Sequence, residues 1–89
     1  MRFVLICRDR PGALQVRLDN RAAHLAYIED SGVVEMAGPF LHDGQMTGSL
    51  IVLTVGDRAA AEAWAAGDPY AQAGLFEEVT ISAWKKVIG

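Results

Sequence analysis

Two stretches of this chain, Arg2 to Arg8 (RFVLICR) and Ser49 to Val55 (SLIVLTV), read as strands with apolar side chains on both faces. Successive strand residues point to opposite sides. In the first stretch Phe3, Leu5 and Cys7 therefore share one face and Val4 and Ile6 the other. A strand with one side in water alternates apolar and polar residues instead. Whatever fold forms, both faces of its sheet need a cover.

The remaining elements follow from local signals. Pro11-Gly12 ends the first strand. Ala13 to Asp30 has helical spacing in two pieces: a short turn over Leu14 to Leu18, then a firmer helix capped near Asp19 or Asn20 and stopped by Gly32. Val33 to Leu41 is a second strand, in which Gly38-Pro39 requires a bulge or an edge position. His42-Asp43-Gly44-Gln45 turns into a third strand, Thr47 to Val55. Asp57 caps a helix over Arg58 to Ala66 that Gly67 ends. Asp68-Pro69 then reads as a new N-cap with proline at the first helical position, opening a short turn to Gly74. Phe76 to Ile88 is the last strand, with Glu77, Glu78, Thr80 and Ser82 on a partly exposed face.

The order βαββαβ is α+β and ferredoxin-like, one domain over residues 1–89. Right-handed crossovers put both helices on one face of a four-stranded antiparallel sheet. The other face is left bare, although its strands are apolar there too. Burying four such side chains contributes about 6–12 kcal/mol at roughly 1.5–3 kcal/mol each. A second copy of the chain is the simplest cover, so the expectation is a homodimer packed sheet to sheet. A hydrophobic content of 52% supplies the surplus apolar surface this needs.

Composition also narrows function. A net charge of -3 and a pI near 5.2 argue against nucleic acid, whose phosphates need a basic face. The single cysteine, Cys7, excludes an intrachain disulfide and a cysteine-cluster metal site; in its apolar run it reads as a buried, inert thiol. No segment approaches the ~18 consecutive apolar residues of a membrane span. Asp9, Arg10 and Pro11 interrupt the N-terminal run too early for a signal peptide. A soluble cytoplasmic protein with no membrane partner is the expectation. Two histidines on separate segments make a poor metal-ligand set. A Gly-x-Gly-x-x-Gly fingerprint and a phosphate-binding P-loop are both absent, so no metal and no cofactor are expected.

The chemistry falls to a few side chains. Of His24 and His42, the latter sits in a polar turn and reads as exposed and idle. Arg17, Arg21, His24 and Ile28 recur at helical spacing and share a stripe if the helix is unbroken. Asp68 either caps the turn that follows it or orients the His24 imidazole, and a capping carboxylate has a second oxygen free for the imidazole. Arg17 and Arg21 either hold an anion or are solvated, or pair with Asp19, Glu29 or Asp30. Ser49 can donate a hydroxyl to a ligand, Gly38 and Pro39 permit close backbone approach or simply shape a turn, and Tyr70 either lends a phenol or packs. Trp64 reads as core, Trp84 as a dimer edge or pocket rim, and Lys85 and Lys86 as a solvated strand end.

Taken in order, Arg17, Arg21-Ala-Ala-His24-Leu25, Ala37-Gly38-Pro39, Thr47-Gly48-Ser49, Ala63-Trp64, Asp68-Pro69-Tyr70, Ala73-Gly74-Leu75 and Trp84-Lys85-Lys86 resemble the YCII-related (YciI-like) family over nearly the whole chain. The resemblance implies a dimeric α+β barrel, a ferredoxin-like unit doubled across its sheets. It also implies an active site built on a histidine–aspartate pair, carried here onto His24 and Asp68, with Ser49, Gly38 and Pro39 lining the adjacent pocket. Most such proteins have no assigned reaction; one branch looks like a dehydrochlorinase of chlorinated hydroxyquinols. The turn between the second and third strands is short here where the family often inserts residues, which opens the pocket mouth. The resulting expectation is a small enzyme using His24 as acid/base, oriented by Asp68, on a small anionic or phenolic molecule, by elimination or isomerisation. The alternative is a non-catalytic ligand-binding or interaction module whose His24–Asp68 pair is structural.

Overall fold

The computed structural model describes all residues, Met1–Gly89. Strands β1 (Arg2–Asp9), β2 (Val34–His42), β3 (Gln45–Thr54) and β4 (Phe76–Trp84) form one antiparallel sheet in the order β2-β3-β1-β4. Helices α1 (Leu14–Ser31) and α2 (Arg58–Gly67) and the single-turn α3 (Pro69–Gln72) complete a ferredoxin-like fold. The two strands that are apolar on both faces, β1 and β3, are the central pair. No helix is long and apolar enough to cross a membrane.

The core lies between the sheet and the helices. Phe3, Leu5 and Cys7 of β1 and Ile51 and Leu53 of β3 pack with Ala61 and Trp64 of α2, and Tyr27 and Ile28 of α1 close over them. The opposite face carries Val4, Ile6 and Leu50, all half-buried, and Met36, 49% exposed. Only Val52, paired with Val4 on one side and Met36 on the other, is fully buried there among the large apolar residues.

Three local expectations are corrected. Helix α1 is a single unbroken helix whose N-cap is Ala13, not two pieces capped at Asp19 or Asn20. No Gly or Pro interrupts Leu14–Ser31, and the two cap-type side chains are used inside the helix: Asp19 accepts from Gln15, and Asn20 donates to the Val16 carbonyl. Of the two conditions expected at Gly38-Pro39, a bulge or an edge position, β2 meets the second, and its register shifts lie elsewhere, at Val34/Met36 and Phe40/Leu41. Pro39 is tolerated because β2 is an edge strand. Strand β3 begins at Gln45, because Asp43 (φ 50°) and Gly44 (φ 77°) make a two-residue hairpin turn that pairs His42 with Gln45 directly. Strand β4 stops at Trp84, well short of Ile88. Trp84 pairs with Arg2, where β1 begins, and beyond it there is no strand to bond to.

Candidate functional site

Because α1 is continuous, Arg17, Arg21, His24 and Ile28 do form one stripe, and that stripe faces the β2–β3 edge of the sheet. Between them lies a cavity of about 140 Å³. Its polar lining is Arg17, Arg21, His24, Ser49 and Tyr70. Its apolar lining includes Leu25, Ile28, Ala37, Pro39, Met46 and Ile51, and Gly38 completes the β2 wall. Every expected site residue except Asp68 lines this cavity, and Asp68 stands directly behind His24.

Asp68 occupies the junction between α2 and α3. Its extended backbone ends one helix and caps the next, with Pro69 at the first helical position. One carboxylate oxygen, Oδ1, accepts the Tyr70 backbone N–H at 3.0 Å and also meets His24 Nδ1 at 2.7 Å. The expected division of labour between two oxygens is therefore replaced by a shared one. His24 and Asp68 are 5% and 2% exposed. Against a carboxylate acceptor Nδ1 is the donor, and in the neutral imidazole Nε2 is then the basic lone pair.

Tyr70 is wholly buried, and its ring stacks on the imidazole with centroids 3.9 Å apart and planes 14° apart. The far side of this cluster is closed by Phe76, edge-on at 6.0 Å. Burial pushes the Tyr70 phenol above its usual range, with the positive charges of Arg17 and Arg21 opposing, so the ring is neutral at physiological pH. The guanidinium of Arg17 lies 4.6 Å from the same ring's centroid.

Arg17 is held by a residue that the sequence reading did not single out. Its Nε and Nη2 donate to Asp9 Oδ2 and Oδ1 at 2.7 and 2.8 Å, a two-pronged bond, and Nη2 also donates to Ser49 Oγ at 3.0 Å. None of the partners foreseen for it (Asp19, Glu29, Asp30) is used. Burial alone would lower the Arg17 pKa, but the hydrogen bond and charge of Asp9 outweigh it and hold the guanidinium firmly protonated. The clue to Asp9 was present: Phe3, Leu5, Cys7 and Asp9 are alternate residues of one strand, so Asp9 continues the face on which the helices pack.

Arg21 is exposed at the cavity rim and takes part in none of the six ion pairs of the chain. His42, with 82% of its side chain exposed, lies in the hairpin turn beside Asp43. No three His, Cys, Asp or Glu side chains converge as a metal-ligand group would. The arrangement offers an oriented base, two cations, a hydroxyl and an apolar slot. Its volume matches a cavity of ~150 Å³ known to accept benzene, so a single six-membered ring fits.

The chain belongs to the YCII-related family: residues 1–85 match the YCII-related domain. It is 36% identical over 97 aligned positions to protein YciI of Escherichia coli O6:H1, covering 98% of this chain and 99% of the relative. Among solved structures it is similar to 5-chloro-2-hydroxyhydroquinone dehydrochlorinase (TftG) of Burkholderia phenoliruptrix in complex with 2,5-dihydroxybenzoquinone. That likeness has 38% identity and a TM-score of 0.90, and covers 96% of this chain and 94% of the other. A dimeric ferredoxin-like protein from Jannaschia, at 17% identity, a TM-score of 0.51 and coverage of 96% and 98%, shares the fold.

Proposed function

We propose that this protein is an acid–base enzyme acting on a small hydroxylated ring, with His24 as the base and Asp68 as its orienter. The observation that carries the reading is the 2.7 Å contact between His24 Nδ1 and Asp68 Oδ1 at the wall of a cavity sized for one ring. The contact fixes one tautomer and aims the basic character at Nε2. In this reading His24 Nε2 takes the proton of a ring hydroxyl. The oxygen left behind is stabilised by guanidinium charge and by the Ser49 hydroxyl. The electron pair moves into the ring and the proton is returned to carbon. Isomerisation ends there; in elimination the protonated carbon is the one bearing the leaving group, which departs with its bonding pair as a second ring hydroxyl gives up its proton. Loss of hydrogen chloride from a chlorinated hydroquinol needs no outside oxidant, because the ring reaches the quinone level as chloride takes the C–Cl pair. The dehydrochlorinase likeness and its bound single-ring quinone support that substrate class.

The test is chloride release from 5-chloro-2-hydroxyhydroquinone. General acid–base assistance is typically worth ~10²–10⁴ in rate, so His24→Ala should lose that much with its far-ultraviolet spectrum unchanged. Retention of turnover within a few-fold would remove His24 from the chemistry. One observation favours a second reading, a non-catalytic binding module. Asp68 Oδ1 also caps α3 through Tyr70, whose ring packs on His24, so the pair has structural work as well. In that case His24→Ala lowers stability and leaves ligand affinity untouched.

The same proposal includes a homodimer joined through the open sheet face. The half-exposed Val4, Ile6 and Leu50 support it.

A further inference from the structure

We propose that Arg21 alone selects the charge of the ligand, and that Arg17, although it lines the same cavity, is a positioning residue neutralised by Asp9. The inference rests on reading this cavity as the ligand site. Arg17 is 2% exposed, and its Nε and Nη2 are committed to both oxygens of Asp9. Asp9 stands outside the cavity lining, but its two-pronged bond to the guanidinium offsets much of the positive charge that Arg17 presents there. Exchanging Asp9 for a ligand would leave a buried carboxylate unpaired, which is strongly unfavourable. Arg17 is instead occupied with structure, joining the end of β1 to Ser49 on β3 and lying against the Tyr70 ring that stacks on His24.

The charge balance then turns on Arg21. Asp9 and Arg17 cancel as a pair. Asp68 stands behind His24 as its partner, so among the basic side chains of the cavity lining only Arg21 has no carboxylate beside it. Arg21 lies one helical turn from Arg17, carries no carboxylate partner, and its charge reaches the buried Tyr70 phenol. Removing it leaves the cavity lining with no cation free of a carboxylate partner. Its exposure at the rim suits a group that meets the ligand on entry.

The probes are 2,5-dihydroxybenzoquinone, a vinylogous acid that is anionic at neutral pH, and hydroquinone, a neutral ring of similar size, each titrated calorimetrically into the full-length protein. Arg21→Gln should weaken the anionic ring about tenfold and leave hydroquinone within twofold. Arg21→Lys should recover most of the loss, and the salt dependence of the wild-type affinity should vanish in the Gln variant. Asp9→Asn should tighten the anionic ring several-fold by uncovering the Arg17 charge, an increase that simple loss of packing does not produce. Equal weakening of both rings by Arg21→Gln, no effect on either, or failure of the wild type to bind the anionic ring would overturn the assignment. Because these are affinities, loss of the dyad reading would appear separately, as His24→Ala turnover that survives while the Arg21 contrast between the two rings persists.

Discussion

Across 44 positions of sequence, the carboxylate of Asp68 reaches the imidazole of His24 at 2.7 Å, and the oxygen that makes this contact is the one that caps α3. The capping donor is the Tyr70 N–H, and the Tyr70 ring is the one that stacks on His24. A single oxygen thus fixes the imidazole from its edge and, through the following residue, from its face. Helix start and site geometry are one hydrogen-bonded unit here, so perturbing one perturbs the other unless the substitution is chosen to separate them.

Asp68→Asn separates them. Asn is as good an N-cap as Asp, so α3 and overall stability should change by less than about 1 kcal/mol. The amide, being neutral and able to donate as well as accept, no longer enforces the Nδ1–H tautomer. Nitrogen-15 shifts of His24 in the neutral state should show mixed tautomers in the variant and one in the parent, with His42 unaltered. Asp68→Ala should lose about 1 kcal/mol more for the cap and a further ~1–3 kcal/mol for the unpaired buried imidazole N–H. Identical tautomer populations in parent and Asn variant would show that Asp68 does not orient the ring.

Tyr70 distinguishes packing from polar chemistry. The ring is 1% exposed and contacts His24, Arg17 and Phe76 together. Tyr70→Phe keeps the stack and should cost little stability. Tyr70→Ala should cost about 3–5 kcal/mol, the usual range for deleting a buried aromatic ring, a large share of the ~5–15 kcal/mol that such a domain possesses. Urea unfolding of the two variants checks the contrast, and a Phe variant as unstable as the Ala variant would refute it.

Much of this architecture is legible in the sequence. Strands β1 and β3 announce themselves because their side chains are apolar on both faces, and the Asp68-Pro69 cap because proline and carboxylate occupy a position where each is favoured. Where the structure departs from the sequence pattern, a local preference has yielded to tertiary context. Asp19 and Asn20 look like caps, yet an uninterrupted helical run outweighs a cap preference of about 1 kcal/mol. Lys85 to Ile88 looks strand-like, yet a strand ends where its partner does, at Arg2. Asp9 is hard to read from sequence because a carboxylate at a strand end ordinarily faces water. Only its closeness to Arg17, eight residues on and across a loop, makes it part of the site.

Cys7 gives the pH dependence. Burial, then the negative charge of Asp68, push its thiol from the usual value near 9 up to about 12; Arg17 opposes and Asp9 adds slightly. The folded chain thus holds this proton more tightly than the unfolded chain does. That stabilisation is fully present below about pH 9 and is lost as pH rises through 9 toward 12, by at most about 1.4 kcal/mol per pH unit. The buried Tyr70 phenol, also raised, acts in the same direction above about pH 10. Unfolding midpoints between pH 8 and 10.5 should fall for the parent and fall less steeply for Cys7→Ala. Equal slopes would mean the thiol is not the group responsible.

The open sheet face supplies the remaining prediction. Ile6 lies on a central strand of that face, half-buried by its own chain, with Leu50 opposite it. On an isolated monomer, Ile6→Glu would place its carboxylate in water at little cost. In a sheet-to-sheet dimer the substitution occurs twice and buries two carboxylates without partners, a penalty of several kcal/mol per group that outweighs the apolar gain at this contact. Light scattering should find the parent at twice the 9.6 kDa chain mass and the variant at that single mass. The His24–Asp68 contact, on the other side of the sheet, should keep its tautomer in both. A parent that stays monomeric across a hundredfold range of concentration would leave the apolar face without its second copy, and the dimer would have to be given up.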